Sequence, residues 1–500
     1  MEELNIFFLS YKPPEPIQDF EDLMPTMVPG MPDNDFNVYV IAFQNNFGGL
    51  VTLENYVLRL DVYFGQSRRS LKCAIKSCEG NVATLVYVKE EFMPLVDLHR
   101  SVSAGFTTAD NQSSALVNML VVDGSSFVFT NMQLKTSNLS KGINEIQRHL
   151  DVQLSNGDDY TATADAAFFL GTLPSFISTK TGKASTLAKK KKWEELALFD
   201  PLQKLLNNEH SFGGFKELPL TFQPTANYIQ EGEHIFGFCD RILYRHNASC
   251  LVRPMTIKTN KGNLRYGTIN DNRFARSKNK PVCMAMTVPI LPIVELKRSL
   301  RNLAVDDSQL PQLYCRYIEI KLEDNSLALE GCVYLRFSGS WLNSQINNRA
   351  HFAPYGSKSI TFHGEYIPKI MFKSEAIYAG VDASVLRHQY LVITLMHQNG
   401  LVDDIPVGTA RVSLESAFKR SQDFHIEETI YLYGKRVGSV VGHVYVGNGN
   451  LDTPKQSITL KSLKEQSIKI REKQNGAKEK PEKKMPEFDS LYESTISRSK

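Results

Sequence analysis

The sequence lacks the features that mark a secreted or membrane-spanning protein. No apolar run approaches the roughly 20 residues that an α-helix needs to cross a bilayer. The N-terminus starts with acidic residues and reaches Pro13 after one short apolar stretch, which does not match a secretory signal peptide. We therefore expect a cytoplasmic protein that can associate with a membrane surface but does not cross the membrane.

Patterns that would indicate a disulfide framework or a zinc site are also missing. The seven cysteines are odd in number, lie in apolar surroundings and include no C-x-x-C pair. This pattern predicts reduced, buried thiols. None of the eleven histidines has a partner at a ligand spacing, so we interpret them as core or surface residues.

A strong charge of either sign is absent as well. The formal net charge of +3 is too small to indicate a nucleic-acid partner. The run Lys189–Lys192 could attract anionic lipid, although such a run is more often a solvated helix start. The lysines after residue 449 alternate with glutamates, which favours a plain solvated tail.

Hydrophobic residues make up 42% of the 500 residues, which is enough to form the cores of more than one domain. Residues 1–293 alternate near-continuously apolar strands with helical stretches, which predicts a layered α/β domain. The strands are expected at 5–10, 36–43, 81–88, 115–122, 126–130 and 166–170, and the helices at 138–150 and 191–208.

The sequence pattern changes after a polar stretch at 294–310, which we interpret as a linker. Residues 311–448 contain only strand-like runs separated by turn residues, which predicts an all-β sandwich. Residues 449–500 are rich in Lys, Glu and Ser and poor in large apolar residues. Such a segment cannot bury enough surface to offset its ordering entropy, so we expect a disordered charged tail.

The most specific motif is the string FCDRILY at residues 238–244. It resembles the W-C-D-R-I-L signature of the inositol polyphosphate 5-phosphatases. Upstream, residues 193–202 and 215–225 resemble the W-x-x-L…D-Q-L and F-x-E-x-x-I-x-F-x-P-T runs of that family, in the same order. With weaker similarities, the resemblance covers about residues 4–290. The retained family residues are Phe238, Cys239, Asp240 and Arg241. The resemblance implies a four-layer α/β sandwich of the endonuclease/exonuclease/phosphatase type.

The same resemblance locates the catalytic positions, and none of them is intact. Family members hydrolyse a phosphomonoester with Mg²⁺ and an activated water, which requires carboxylates for the metal, a base and donors for the phosphoryl oxygens. The matching positions here are occupied by Lys12, Asn45, Gln133, Thr172, Pro174, Lys278 and Asn279. Three carboxylates are lost and two lysines gained, so the resemblance implies a pseudophosphatase without a bound metal.

Two interpretations of the altered cleft remain open. Lys12, Arg241 and Lys278 could line it and hold a phosphate without a metal. Alternatively, Asp240 and Arg241 persist as a structural ion pair in an inert cleft. The lysine with which the family reaches its substrate is Asn227 here, which weakens recognition of a 5-phosphate.

Three functions compete at this stage. The leading hypothesis is a catalytically inactive adaptor that binds a phosphoinositide, an anionic membrane surface or a protein. The second is a divergent but active Mg²⁺-dependent 5-phosphatase, for which Asp165 and Asp240 are the available carboxylates. The third is a structural component of a larger assembly.

The β-rich segment resembles a C2 domain, mainly through residues 391–414. Calcium-binding C2 domains need several carboxylates in two loops, because Ca²⁺ takes many oxygen ligands. The loop before Asp403 and Asp404 offers only His397, Gln398 and Asn399. We therefore predict a calcium-independent module that binds protein or lipid; an immunoglobulin-like sandwich is the alternative.

Overall fold

The computed structural model describes most of the chain up to residue 448. The described residues are 2–13, 20–28, 34–45, 49–66, 70–98, 101–109, 113–123, 125–135, 138–155, 160–177, 181–207, 214–230, 233–246, 250, 252–259, 262–269, 271, 274, 279–290, 311–324, 329–339, 346–364, 367, 370–371, 390–398, 404–413, 424–432 and 435–448. The predicted linker and the predicted tail lie outside these ranges, so the domain boundaries stay predictions. Within them, no helix combines the length and the apolar character that crossing a membrane requires.

The first part of the described chain, up to residue 290, contains strands and helices in alternation, as predicted. Its strands are β1 Glu2–Tyr11, β2 Val38–Gln44, β3 Leu71–Glu79, β4 Val82–Lys89, β5 Ser103–Thr107, β6 Ser114–Val122, β7 Ser125–Gln133, β8 Ala166–Thr172, β9 Ala226–Gln230, β10 Glu233–Gly237, β11 Asp240–His246, β12 Arg253–Pro254, β13 Ile257–Thr259, β14 Gly262–Leu264, β15 Tyr266–Thr268 and β16 Val282–Ile290. Its α-helices are α1 Phe20–Met27, α2 Gly49–Gln66, α3 Leu139–Ser155, α4 Tyr160–Thr163, α5 Thr181–Lys189, α6 Trp193–Ala197 and α7 Pro201–Leu206, and a 3-10 helix spans Glu90–Leu95.

These strands form two main sheets. The first has the order β12-β16-β1-β2-β4-β3, with β15 also paired to β16, and the second has the order β11-β8-β7-β6-β5. Two pairs are parallel, β1 with β2 and β7 with β8, so their carboxyl ends lie at a common edge in each sheet. Hairpins β9–β10 and β13–β14 are separate.

Three groups of buried side chains show how the elements stack. Strand alternation turns Phe8 towards the second sheet, where its ring packs on Phe168 with centroids 4.4 Å apart. The neighbouring Phe7 faces the opposite way and shares a cluster with Leu60 of α2. Behind the second sheet, Ile143 of α3 belongs to a further cluster. The two sheets therefore face each other, and helices cover their outer sides.

One predicted helix is interrupted. The sequence pattern predicts a single helix over 191–208, but the structure has α6 and α7 with a break between them. Proline disfavours a helical conformation in the residue before it, and Asp200 is extended with ψ 124° ahead of Pro201. The Asp200 carboxylate then caps α7 by accepting from the Gln203 amide at 3.0 Å. The break thus places an acidic side chain at a helix N-terminus.

The second part of the described chain, from residue 311, is all β, as predicted. Its strands are β17 Pro311–Leu322, β18 Leu329–Ser338, β19 Ile346–Asn347, β20 His351–Ser357, β21 Ser359–His363, β22 Ile370–Met371, β23 Tyr390–His397, β24 Ile405–Ser413, β25 Phe424–Leu432 and β26 Lys435–Asn448. They hydrogen-bond in the order β19-β18-β23-β24-β25-β26-β17-β21, with β20 on β18 and β22 on β17. Between β24 and β25 the pairing is reduced to Thr409 with Tyr431. The sheet curls, and side chains from both halves fill one core.

This curled sheet packs against the first part of the chain. Thr394 of β23 points away from the sandwich core and is nevertheless fully buried. Arg411 Nη2 donates to the carbonyl oxygen of Ala164 at 2.7 Å. The guanidinium of Arg245 lies over the ring of Tyr431, 5.8 Å from its centroid. The two parts therefore share a contact surface that includes polar and cation–π interactions.

The cysteine prediction is partly wrong. All seven cysteines lie among the described residues and none forms a disulfide. Four are buried, whereas Cys73 and Cys78 are partly exposed and Cys332 is exposed. Cys332 alternates in β18 with Val333, which fills the sandwich core, so Cys332 must face outwards.

Two of the histidines interpreted as core or surface residues are neighbours on the sheet surface. His425 and His443 face each other across β25 and β26. Antiparallel pairing brings together residues that are 18 positions apart, and no sequence spacing reveals that register.

Candidate functional site

Four of the seven positions that the resemblance matches to catalytic residues lie at one edge of the two facing sheets. Lys12 follows β1 and Asn45 follows β2, while Gln133 and Thr172 are the last residues of β7 and β8. Because β1/β2 and β7/β8 are parallel pairs, these strand ends meet at the same edge. Strand β11 runs antiparallel to β8 and starts there, with Asp240 opposite Thr172.

Asp240 lies at the centre of this cluster and is fully buried. Its Oδ1 accepts a hydrogen bond from Thr172 Oγ1 at 2.7 Å, and its Oδ2 accepts one from Asn279 Nδ2 at 2.7 Å. Burial raises the pKa of Asp240, and the hydrogen bonds from Asn279 and Thr172 oppose that shift. Thr172 and Asn279, two of the positions that the resemblance matches to catalytic residues, thus donate hydrogen bonds to the buried Asp240 carboxylate.

Lys12 supplies a positive charge to the same cluster. Burial lowers the pKa of the Lys12 ammonium, and the negative charge of Asp240 opposes that shift. The positive charge of Lys135 lowers the same pKa further, so this second lysine is also within electrostatic reach. The site therefore contains one buried carboxylate within electrostatic range of the Lys12 side chain.

A network of side-chain amides connects the two sheets next to this pair. Gln44 Nε2 donates to Asn131 Oδ1 at 2.8 Å, and Asn131 Nδ2 donates to the carbonyl oxygen of Ala83 at 2.8 Å. The backbone amide of Asn45 donates to Gln133 Oε1 at 2.8 Å. Sequence reasoning missed Asn131, which lies two positions before Gln133 and therefore shares its side of β7.

Gln133 presents a donor that has no acceptor among the described residues. Its Oε1 is fixed as the acceptor by the Asn45 amide, so the other terminal atom is Nε2. That Nε2 is buried and makes no hydrogen bond. Asn45 itself has φ 55°, in the left-handed region that asparagine tolerates, and its Nδ2 donates to the carbonyl of Pro13. Asn45 thereby ties the end of β1 to the end of β7.

Arg241 does not line the cleft. Its side chain has no exposed surface and lies between two carboxylates, with Nη1 2.8 Å from Asp200 Oδ2, and Nε 2.7 Å from Glu217 Oε1. Burial alone would lower the pKa of Arg241, but Asp200 and Glu217 hold it well above the ordinary value. We therefore remove Arg241 from the candidate phosphate-binding residues, because its donors are already taken.

The ion pair of Arg241 also differs from the one proposed on sequence grounds. Its partners are Asp200 and Glu217, whereas Asp240 is held by Thr172 and Asn279. Neighbouring residues of a strand point to opposite sides, so Asp240 and Arg241 cannot both face one cavity. The two motif residues thus point to opposite sides of β11, and both side chains are fully buried.

The other motif residues are structural. Phe238 and Cys239 are buried, and the Cys239 amide donates to Thr225 Oγ1 at 2.9 Å. Burial raises the pKa of the Cys239 thiol, which disfavours a reactive thiolate. Pro174 follows β8 and is half-buried.

The two carboxylates that an active enzyme would need are far apart. Asp165 precedes β8 and accepts from the Ser126 amide at 2.8 Å, whereas Asp240 pairs with the last residue of that strand. Seven strand residues at about 3.3 Å each separate the two by roughly 20 Å. One ion cannot bind both.

Some predicted site residues cannot be placed. Lys278, Asp403 and Asn399 lie outside the described residues, as does the side chain of Asn227. Asp404 is described, and its Oδ2 accepts from the Tyr334 hydroxyl at 2.6 Å. Within the described part of the chain, no three or more His, Cys, Asp or Glu side chains group closely enough to hold a metal ion.

A family model matches part of the segment that carries this site. The model of endonuclease/exonuclease/phosphatase family 2 matches residues 51–282. A stretch of 93 residues is 30% identical to type I inositol polyphosphate 5-phosphatase 2 of Arabidopsis thaliana. That stretch is 16% of this chain and 14% of the length of that relative.

Solved structures with a related chain trace are more distant. The inositol polyphosphate 5-phosphatase domain of SPsynaptojanin, in complex with inositol (1,4)-bisphosphate and calcium, is 18% identical over 57% of this chain and 84% of that chain, with TM-score 0.47. Cimex nitrophorin is 16% identical over 58% of this chain and 99% of that chain, with TM-score 0.45. The family match supports a relation of residues 51–282, less than half of the chain, to the endonuclease/exonuclease/phosphatase superfamily.

Proposed function

We propose that this chain is related to the inositol polyphosphate 5-phosphatases but is catalytically inactive, and that its altered cleft binds phosphate groups of phosphoinositides without a metal. The first part of the chain would then be a four-layer α/β sandwich and the second a calcium-independent C2-like module. Together they would act as a cytoplasmic adaptor that associates with the membrane surface and with protein partners.

The observation that carries this proposal is the hydrogen bonding of the Asp240 carboxylate. Magnesium demands several oxygen ligands in octahedral geometry, with carboxylates supplying the negative charge. Each oxygen of the Asp240 carboxylate already accepts a hydrogen bond, from Thr172 and from Asn279. Lys12 brings a positive charge within electrostatic range of Asp240. Both features disfavour a magnesium ion at this edge of the sheets.

The binding half of the proposal is supported by what the cluster offers to an anion. Lys12 follows β1 and Lys135 follows β7, and repulsion from the Lys135 charge contributes to the lowered pKa of Lys12. A phosphate between them would relieve that repulsion. Gln133 Nε2 is a buried donor that lacks an acceptor among the described residues. An oxygen atom of a bound anion would accept a hydrogen bond from this Nε2, and no existing hydrogen bond would have to break.

Phosphate release is the direct test of the inactive-enzyme proposal. With Mg²⁺ present, the full chain is expected to release no phosphate above a blank from soluble or vesicle-bound phosphoinositides. The reason is that acid, base and metal ligands are absent together, and catalytic groups that act as a unit lose most activity when one is removed. Calorimetric titration with MgCl₂ is expected to give only dilution heat.

Robust release that EDTA abolishes would overturn this proposal and favour the divergent active enzyme. Release that persists in EDTA would instead indicate a contaminating activity, which a Thr172→Val variant checks. That variant removes a donor from Asp240 but leaves a contaminant unchanged.

The binding proposal is tested with Lys12→Met. The methionine keeps an unbranched apolar side chain but removes the charge, so affinity for phosphoinositide-containing vesicles is expected to fall about tenfold or more. That factor follows from the roughly 1.5–3 kcal/mol of a hydrogen bond to a charged group. Vesicle flotation and a titration with a soluble inositol phosphate give the two affinities.

Two control variants show whether the loss of affinity comes from the charge of Lys12. Lys12→Arg keeps the charge and is expected to retain binding. Lys72→Met removes an exposed lysine that pairs with Glu90 in another part of the fold and is expected to have no effect. If the unmodified chain fails to bind either probe, the anion-binding proposal is wrong, and a structural component of an assembly becomes the better hypothesis.

A further inference from the structure

A second group of side chains with ligand chemistry lies on the curled sheet, outside the altered cleft. His425 of β25 is directly opposite His443 of β26 in the antiparallel register. Their neighbours Phe424 and Val444 are buried in the sandwich core, so both imidazoles point to the outer face of the sheet. His425 is exposed and His443 is partly exposed.

The two imidazoles are close enough to share one ion. His425 Nδ1 lies 3.4 Å from His443 Nε2, and the ring centroids are 5.1 Å apart. Zinc binds imidazole nitrogen at about 2.0–2.1 Å, so a nitrogen separation of this size corresponds to a nitrogen–metal–nitrogen angle of about 110°. That angle is the one that a tetrahedral ion requires.

The surroundings hold the pair in an orientation suited to a metal. Glu427, two residues along the same face of β25, places Oε2 3.9 Å from His425 Nε2. A carboxylate on that side favours the tautomer with hydrogen on Nε2, which leaves the Nδ1 lone pair directed towards His443. The ring of Tyr317 lies beside His443, with centroids 5.4 Å apart, and limits its rotation.

We propose that His425 and His443 form a surface site for a divalent transition-metal ion of the Cu²⁺, Ni²⁺ and Zn²⁺ class. Imidazole nitrogen suits these ions, and Cu²⁺ should bind most tightly among them. Water completes the coordination shell, because the described residues bring no third His, Cys, Asp or Glu close enough. Glu427 is a positioning residue. The site is independent of the altered cleft and of the function proposed for it.

The test is a calorimetric titration of the full chain with CuCl₂ and with ZnCl₂, compared between variants. His425→Gln and His443→Gln are each expected to lower the affinity of the site at least about tenfold, since even the loss of an outer-shell partner costs that much. His149→Gln removes an exposed histidine of α3 and is expected to change nothing. Glu427→Gln is expected to give a smaller loss.

Spectroscopy identifies the ligands independently of affinity. The electron paramagnetic resonance spectrum of the Cu²⁺-loaded chain is expected to show coupling to two imidazole nitrogens, and each histidine variant should lose one. Circular dichroism of the variants checks that they are folded, as both positions are on the outer face. The proposal is overturned if neither metal binds, or if the double variant binds Cu²⁺ with the same affinity and spectrum as the unmodified chain.

Discussion

Replacing Arg241 with methionine is expected to lower the free energy of unfolding by about 3–5 kcal/mol, the usual cost of removing one partner from a buried ion pair. Methionine fills similar volume, so the loss comes from electrostatics more than from a cavity. Asp200 and Glu217 would remain buried without their shared cation. Denaturant unfolding followed by fluorescence or circular dichroism measures the change.

An exposed arginine serves as the control that shows whether burial causes the loss of stability. Arg253 pairs with Glu3 on the surface, where both side chains are about half exposed. Surface pairs contribute about 0–1 kcal/mol, so Arg253→Met is expected to have little effect. If the two variants unfold at the same denaturant concentration, the buried cluster is not the stabilising element inferred here.

Replacing Gly171 with alanine is the second change with a large expected effect. Gly171 has φ +149°, and a Cβ atom there would lie 2.0 Å from the carbonyl oxygen of Met132. That oxygen belongs to the backbone of β7, the neighbouring strand, so neither atom can move aside without breaking the pairing. Strain and overpacking together predict a loss of about 2–5 kcal/mol in the free energy of unfolding.

Gly182→Ala is the control, and it is expected to raise stability because this glycine is not crowded by its neighbours. Gly182 lies in α5, and a Cβ atom there would meet nothing within 4 Å. Alanine has the higher helix propensity, so stability is expected to rise by up to about 1 kcal/mol. Equal unfolding midpoints for both glycine variants would contradict the close approach of β7 and β8. Gly171 thereby limits which residues can occupy the strand end where Thr172 contacts Asp240.

Several elements were predictable because their signal is local. The near-continuously apolar runs at 36–43 and 166–170 became β2 and β8, since strands covered on both faces need apolar residues at every position. The spacing of Ile143, Ile146 and Leu150 predicted α3.

What could not be predicted depends on contacts between distant residues. Asp200 and Glu217 both lie in motifs that were recognised, yet nothing in the sequence indicates that they share Arg241, 41 and 24 positions away. The cross-strand register of His425 and His443 is equally invisible to spacing. Pro201 indicates the break before α7, but the helical periodicity of the residues on both sides led to the prediction of one continuous helix.

The ammonium group beside Asp240 has one consequence that a bound ion would not have. Its charge is attached to the polypeptide through the Lys12 side chain, so it cannot diffuse away, be exchanged for another metal or be sequestered by a chelator. In the metal-free cleft that we propose, changes in the concentration of free divalent ions would leave the charge near Asp240 unchanged, and the protonation state of Lys12 would determine it.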